Sequence, residues 1–178
     1  AGTAGAKGKK PDYTSFLYPD AKIAVMRSGW GDKDMYLHIN ADGGVGNHAH
    51  KDDLSVVVFA YGRYFLVDPL YGNYNWGTEQ QWLSSSIAHN TVTINNKNQT
   101  SGEKEGSINR WETNNSYDYI IAEDANSQDA DFKREILFVR PNFWIVNDFL
   151  TPKNGGVNTY VQAWHTLPEA NITMNEAT

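Results

Sequence analysis

The chain has 178 residues, 40% of them hydrophobic and 13% aromatic, enough apolar material for one folded domain and too much for a disordered tail. A formal net charge of -6 argues against a nucleic-acid binder, whose footprint is basic, yet leaves room for a local basic cleft facing an anionic polymer. Cysteine is absent, which rules out disulfides and thiolate metal sites, and no apolar stretch has the length of a membrane span.

Residues 1–12 read as a linker and residues 13–178 as one β-rich domain. Lys22 to Arg27 and Met35 to Asn40 flank the turn-rich segment Gly29 to Asp34 and predict a hairpin. Ser55 to Ala60 and Tyr64 to Val67 flank Tyr61-Gly62-Arg63, a second tight reversal. One short helix is expected near Glu79 to Leu83. Further strands are expected at Thr91 to Ile94, Tyr117 to Ala122, Lys133 to Val139, Phe143 to Asn147 and Asn158 to Ala163. Turn chemistry separates them at Asn95 to Asn98, Asn114-Asn115 and Asn154-Gly155-Gly156. Many short strands with regular punctuation predict an all-β fold, stacked antiparallel sheets forming a β-sandwich with little helix.

Candidate chemistry gathers at Asn47-His48-Ala49-His50-Lys51-Asp52, followed by Asp68 after the Tyr64 to Val67 run and by His89-Asn90-Thr91. On an extended backbone His48, His50 and Asp52 share one face. Imidazoles and carboxylate without thiolate suit zinc, which takes three protein ligands plus a further group. Taken alone, a His-X-His run is more often a solvated or hydrogen-bonded pair, and Asp68 before Pro69 reads equally as a turn-capping carboxylate. For the ligands to meet, the Ser55 to Val67 hairpin must return Asp68 toward the histidines while Lys51 to Leu54 bends. Trp76, Trp82 and Trp111 read as core residues, with sugar stacking as the alternative. Arg27, Arg63 and Arg110 read as surface ion pairs, with contact to carboxylate or sulfate as the alternative. His38 and His165 read as structural.

Several blocks, in order, resemble the heparinase II/III family of polysaccharide lyases: Met26-Arg27-Ser28-Gly29-Trp30, Asn47 to Ser55, Tyr61-Gly62-Arg63, Leu66-Val67-Asp68-Pro69 with Tyr74, and His89-Asn90-Thr91-Val92. A weaker pattern runs from Arg134 through Asp148 to Trp164-His165. The resemblance implies the C-terminal stacked-sheet domain of an enzyme whose N-terminal helical toroid is its partner in the same protein. It implies that His50, Asp68 and His89 bind zinc, that His48 faces substrate, and that Tyr74 lies near the cleft.

The implied reaction is β-elimination in a uronate-containing anionic polysaccharide, heparin or heparan sulfate first and alginate next, in a periplasmic or secreted setting. The family's other catalytic groups, an asparagine, a tyrosine and a further histidine, belong to the toroid, so this chain by itself is expected to be inactive. The zinc is expected to be structural, because β-elimination needs no metal-bound hydroxide. Two further classes stay open: a non-catalytic carbohydrate-binding module with a structural zinc site, and a zinc hydrolase in which His48 also ligates.

Overall fold

Residues at alternate positions of Ile23–Arg27 and Tyr36–Asn40 are buried, which sends Ala24, Met26, Leu37 and Ile39 inward and their neighbours outward. The computed structural model describes residues 8–44, 49–69, 77–100, 104–153 and 155–168. Its first sheet is a five-stranded antiparallel meander of β1 (Phe16–Tyr18), β2 (Ile23–Arg27), β3 (Tyr36–Asn40), β4 (Val56–Ala60) and β5 (Arg63–Leu66). The helix α1 (Thr78–Leu83) and a 3-10 turn at Ser86–Ala88 lead into β6 (Val92–Ile94).

A second meander follows, β7 (Ser107–Thr113), β8 (Tyr117–Asp124), β9 (Ala130–Val139) and β10 (Phe143–Pro152), and β11 (Tyr160–Gln162) returns to pair with β6. Met26, Leu37, Ile39 and Val56 of the first sheet share one core with Ile120, Phe132, Ile136 and Phe138 of the second. The all-β expectation of stacked antiparallel sheets with one short helix therefore holds.

Two strands escape the sequence pattern. β1 is only three residues long, and β7 carries Asn109, Arg110 and Glu112 on a sheet edge, where pairing to β8 rather than apolar alternation defines it. The β9–β10 hairpin runs ten residues on each side, past the expected ends at Lys133 and Asn147. Its polar extension stays in register because each residue finds a cross-strand partner, from Phe143 opposite Val139 to Pro152 opposite Ala130.

A fully buried charge lies in this hairpin. Arg134 is fully buried and grips the Asp148 carboxylate bidentately, Nε to Oδ1 at 2.7 Å and Nη2 to Oδ2 at 2.8 Å. Its Nη1 donates to the carbonyls of Leu54 (2.6 Å) and Asn90 (2.8 Å), so the second sheet is tied directly to the chain beside His50 and His89.

A second buried polar group sets a pH response. Asp53 is 2% exposed, its N–H donating to Gln99 Oε1 at 2.8 Å and its carbonyl accepting from Thr91 Oγ1 at 2.7 Å. Burial, reinforced by a hydrogen bond to Asp124 and that carboxylate's charge, pushes the Asp53 carboxyl from 3.8 up to about 8. The folded protein therefore holds a proton that the unfolded chain releases above pH 3.8, and stability from this group falls as pH rises from there to about 8. Asp53→Asn is expected to flatten the stability–pH curve across that window. Urea midpoints measured from pH 4 to pH 8 check it; an unchanged slope would sink the assignment.

Candidate metal centre

Local backbone, not a strand, positions His50. Ser55 N–H donates to the Asp52 carbonyl at 2.9 Å, and Leu54 adopts a positive φ of 60° while its N–H reaches the Asn40 carbonyl at 2.7 Å. A left-handed leucine in a tight turn cannot belong to an extended ladder, so the shared strand face expected for His50 and Asp52 does not form. Asp52 instead accepts from Asn40 Nδ2 at 3.2 Å, and burial raises its carboxyl above the usual range. The bend required across Lys51 to Leu54 is present.

The β4–β5 hairpin then reverses the chain, and Asn90 clamps both its ends. Asn90 Nδ2 donates to the carbonyls of Val56 and Val67, each at 2.8 Å, and its Oδ1 accepts the His165 N–H at 2.7 Å. Val67 N–H is held in turn by the His165 carbonyl at 3.0 Å. The result places Asp68 against the residue preceding Asn90. His89 caps the 3-10 turn, its N–H donating to the Ser86 carbonyl at 3.1 Å, and its ring is fully buried.

His89 Nδ1 and Asp68 Oδ1 lie 2.8 Å apart, with the Asp68 side chain 39% exposed. The His50 ring sits beside them, its centroid 5.1 Å from that of His89. Burial and then the His89 ring pull the His50 pKa below 6.5, which favours the neutral imidazole that a metal requires. All three expected ligands thus converge from three separate segments. Among the described residues no group of three or more His, Cys, Asp or Glu side chains stands as a set that could hold a metal ion.

Two observations nevertheless fit a metal in kind. His89 Nε2 is buried without a hydrogen-bond partner among the described residues. The other ring nitrogen is held by a carboxylate, the contact that fixes the tautomer and aim of a metal-binding imidazole or serves beside it as a ligand. The donors, imidazole and carboxylate, are those of a zinc site. His48 and Tyr74, expected to face substrate, lie outside the described residues, as does Trp76.

The remaining expectations divide. His165 is structural: its ring Nε2–H donates to the Ile87 carbonyl (2.9 Å), and Trp82 packs edge-on to it with half its surface exposed rather than in the core. Trp111 packs against the core. Arg110 pairs with Glu112 as a surface arginine does. Arg27 makes no such pair among the described residues. Asn90 and Arg134 are the site-building residues to which the sequence assigned no role, although both stand in the blocks that carry the family resemblance.

Residues 10–178 match the family model described as "Heparinase II/III-like, C-terminal". A "Heparin-sulfate lyase" of Pedobacter heparinus is 27% identical over 151 residues, covering 82% of this chain and 22% of that protein. A second protein of that name, from Bacteroides stercoris, is 23% identical over 167 residues, covering 90% of this chain and 24% of its own length. The crystal structure of heparan sulfate lyase HepC from Pedobacter heparinus superposes with a TM-score of 0.76 at 25% identity, over 84% of this chain and 24% of that one. The chain thus spans about a quarter of the length of the relatives it matches.

Proposed function

Since the chain belongs to the heparinase II/III-like, C-terminal family, we propose that it is the β-sandwich portion of a lyase that cleaves uronate-containing anionic polysaccharide by β-elimination. Heparan sulfate is the first substrate class, named by the relatives, and alginate the next. The observation that carries the reading is the convergence of His50, Asp68 and His89 from three segments.

In the reaction, a base takes the C5 proton of the uronate, the C5–H electrons form the C4=C5 double bond, and the C4–O bond breaks. The departing oxygen receives a proton. The C5 proton is weakly acidic because the neighbouring carboxylate is already negative, so groups that neutralise that carboxylate lower the barrier most. His48 suits the proton transfer or the neutralisation, because an imidazole titrates near neutral pH. Tyr74 supplies a supporting hydrogen bond. The remaining acid–base groups come from the N-terminal helical toroid of the full-length protein, and the isolated chain releases no unsaturated product.

His50, Asp68 and His89 would hold a zinc ion whose task is to fix the loop and thereby the aim of His48. This assigns the paired histidines different work: one keeps the loop in place, the other meets the sugar. A polymer substrate of this size is met outside the cytoplasm, which gives a periplasmic or secreted setting. No helix among the described residues is long and apolar enough to cross a membrane.

His48→Ala in the full-length protein is expected to lower elimination by 10²-fold or more, roughly the contribution of one general acid–base group, while zinc content stays at the wild-type level. Ultraviolet absorbance of the unsaturated uronate and metal analysis read the two effects. Loss of the metal together with activity would instead make His48 a ligand and favour a zinc hydrolase. Binding of heparan sulfate with no elimination by the full-length protein would leave a carbohydrate-binding module.

A further inference from the structure

We infer that the outer face of the β1–β5 sheet carries a binding subsite for an acidic sugar, with the Arg27 guanidinium as receptor for its carboxylate or sulfate. The inference rests on the proposed function for its ligand class and extends it to residues outside the metal centre. Strand register builds the site. Arg27 lies opposite Tyr36, Tyr36 opposite Phe59, and Phe59 opposite Tyr64, so four residues from four strands form one cross-sheet row. Their neighbours Met26, Leu37 and Ala60 are buried in the core, and the alternation of a strand therefore turns this row outward.

The Arg27 guanidinium lies 4.4 Å from the ring centroids of both Trp30 and Tyr36. It makes no ion pair and no side-chain hydrogen bond among the described residues, whereas Arg110, Arg134 and Arg140 each hold a carboxylate. Stacking between rings holds the guanidinium plane and leaves its in-plane donors for a ligand, and a planar fork matches a carboxylate or sulfate edge. Arg27, Trp30, Tyr36, Phe59 and Tyr64 line a cavity of about 360 Å³, within the usual range for small-ligand pockets.

One carboxylate, Asp34, also borders this cavity. It is turned into the Gly29–Asp34 reversal, accepting from Gly31 N–H and from Ser28 Oγ, and a Cβ on Gly29 would collide with it. Asp34 is thus the turn's own fastening and does not cancel Arg27. Tyr64 is 53% exposed, and Tyr18, 43% exposed, stands on β1 of the same sheet. Such half-exposed rings offer faces on which a sugar ring stacks.

The row is also continuous with the metal centre. His38 follows Tyr36 by two residues on the same face of β3, roughly 6.7 Å along the strand. In register His38 lies opposite Val57, and the adjoining Val58 lies opposite Leu66, two residues before Asp68, so this face runs toward the candidate zinc ligands.

The test is a calorimetric titration of the 178-residue chain with four hexasaccharides: heparin-derived, unsulfated heparosan, carboxyl-reduced heparin, and neutral maltohexaose. The heparosan and carboxyl-reduced arms distinguish carboxylate from sulfate as the group recognised. Charged ligands are expected to bind and maltohexaose not to. Arg27→Gln, which keeps a polar side chain but removes the charge and the guanidinium fork, is expected to weaken binding about tenfold, a charge-assisted hydrogen-bond pair's worth. Arg27→Lys is expected to recover only part of that loss, because an ammonium lacks the planar fork. Arg63→Gln, on the same sheet, is expected to change affinity less than twofold.

Tyr64→Ala, at an exposed edge position, probes the same cavity if Arg27→Gln fails to fold, and is expected to weaken binding several-fold. Equal binding by wild type and Arg27→Gln, equal affinity for maltohexaose, or no binding of any charged hexasaccharide overturns the subsite. Because the readout is binding, absence of elimination by the full-length protein would overturn the lyase reading alone. Normal elimination in the full-length protein with an unchanged KM for Arg27→Gln would overturn the subsite alone.

Discussion

Replacing His89 with alanine is expected to strip zinc from the 178-residue chain and to remove the part of its thermal stability that a chelator removes from wild type. The ring is fully buried, it is joined to Asp68 at 2.8 Å, and it stands beside the His50 ring. A metal that binds only the folded state stabilises by mass action, about 2.7 kcal/mol when its free concentration is a hundred times Kd. In a protein of this size that corresponds to roughly 5–11 °C in Tm.

The truncation also leaves a cavity, which costs stability whether or not a metal binds. Chelation separates the two effects. Wild type is expected to lose those degrees on adding a chelator, and His89→Ala to melt at the same temperature with and without it. His38→Ala, which removes a histidine outside the ligand set, is expected to keep the metal. A chelator response surviving in His89→Ala would remove His89 from the ligand set.

Arg134→Ala is expected to be the most destabilising single change outside the metal centre, at about 3–5 kcal/mol. Arg134 is fully buried, and its loss leaves the Asp148 carboxylate, 6% exposed, with only Gln162 among the described residues as a donor, at 2.6 Å. It also orphans one bond each at the carbonyls of Leu54 and Asn90. Those two residues end the His50 turn and follow His89, so zinc affinity is expected to fall along with stability.

Arg134→Lys is expected to rescue little, since a single ammonium cannot grip a carboxylate bidentately and reach two carbonyls. The double variant Arg134→Ala with Asp148→Ala is expected to be more stable than Arg134→Ala alone, because it removes the stranded charge. Urea unfolding and zinc titration of the four proteins check both claims. A loss under about 1 kcal/mol for Arg134→Ala would show that water reaches Asp148 and that the pair is not the link between the sheets.

Chain-local features were readable in the residues themselves. The alternation of Lys22 to Arg27 and Met35 to Asn40, the Tyr61-Gly62-Arg63 reversal and the helix near Glu79 all appear close to where the pattern put them. Side-chain periodicity and turn chemistry act within a few residues, so they are written in the order of the chain. The identity of His50, Asp68 and His89 as one group was legible only through the ordered resemblance, since no periodicity links positions so far apart.

What the tertiary structure alone decided concerns how distant segments meet. A positive φ at Leu54 takes Asp52 off any strand face shared with His50 and turns it to Asn40, while Asp68 meets His89. Asn90 reads in sequence as one more polar residue, yet it clamps β4, the end of the β5 hairpin and His165. Arg27 reads as another surface arginine, and only strand register sets it among Trp30, Tyr36, Phe59 and Tyr64. The physical reason is the same in each case. A residue's type determines which bonds it can make, and long-range pairing determines which partners come within reach.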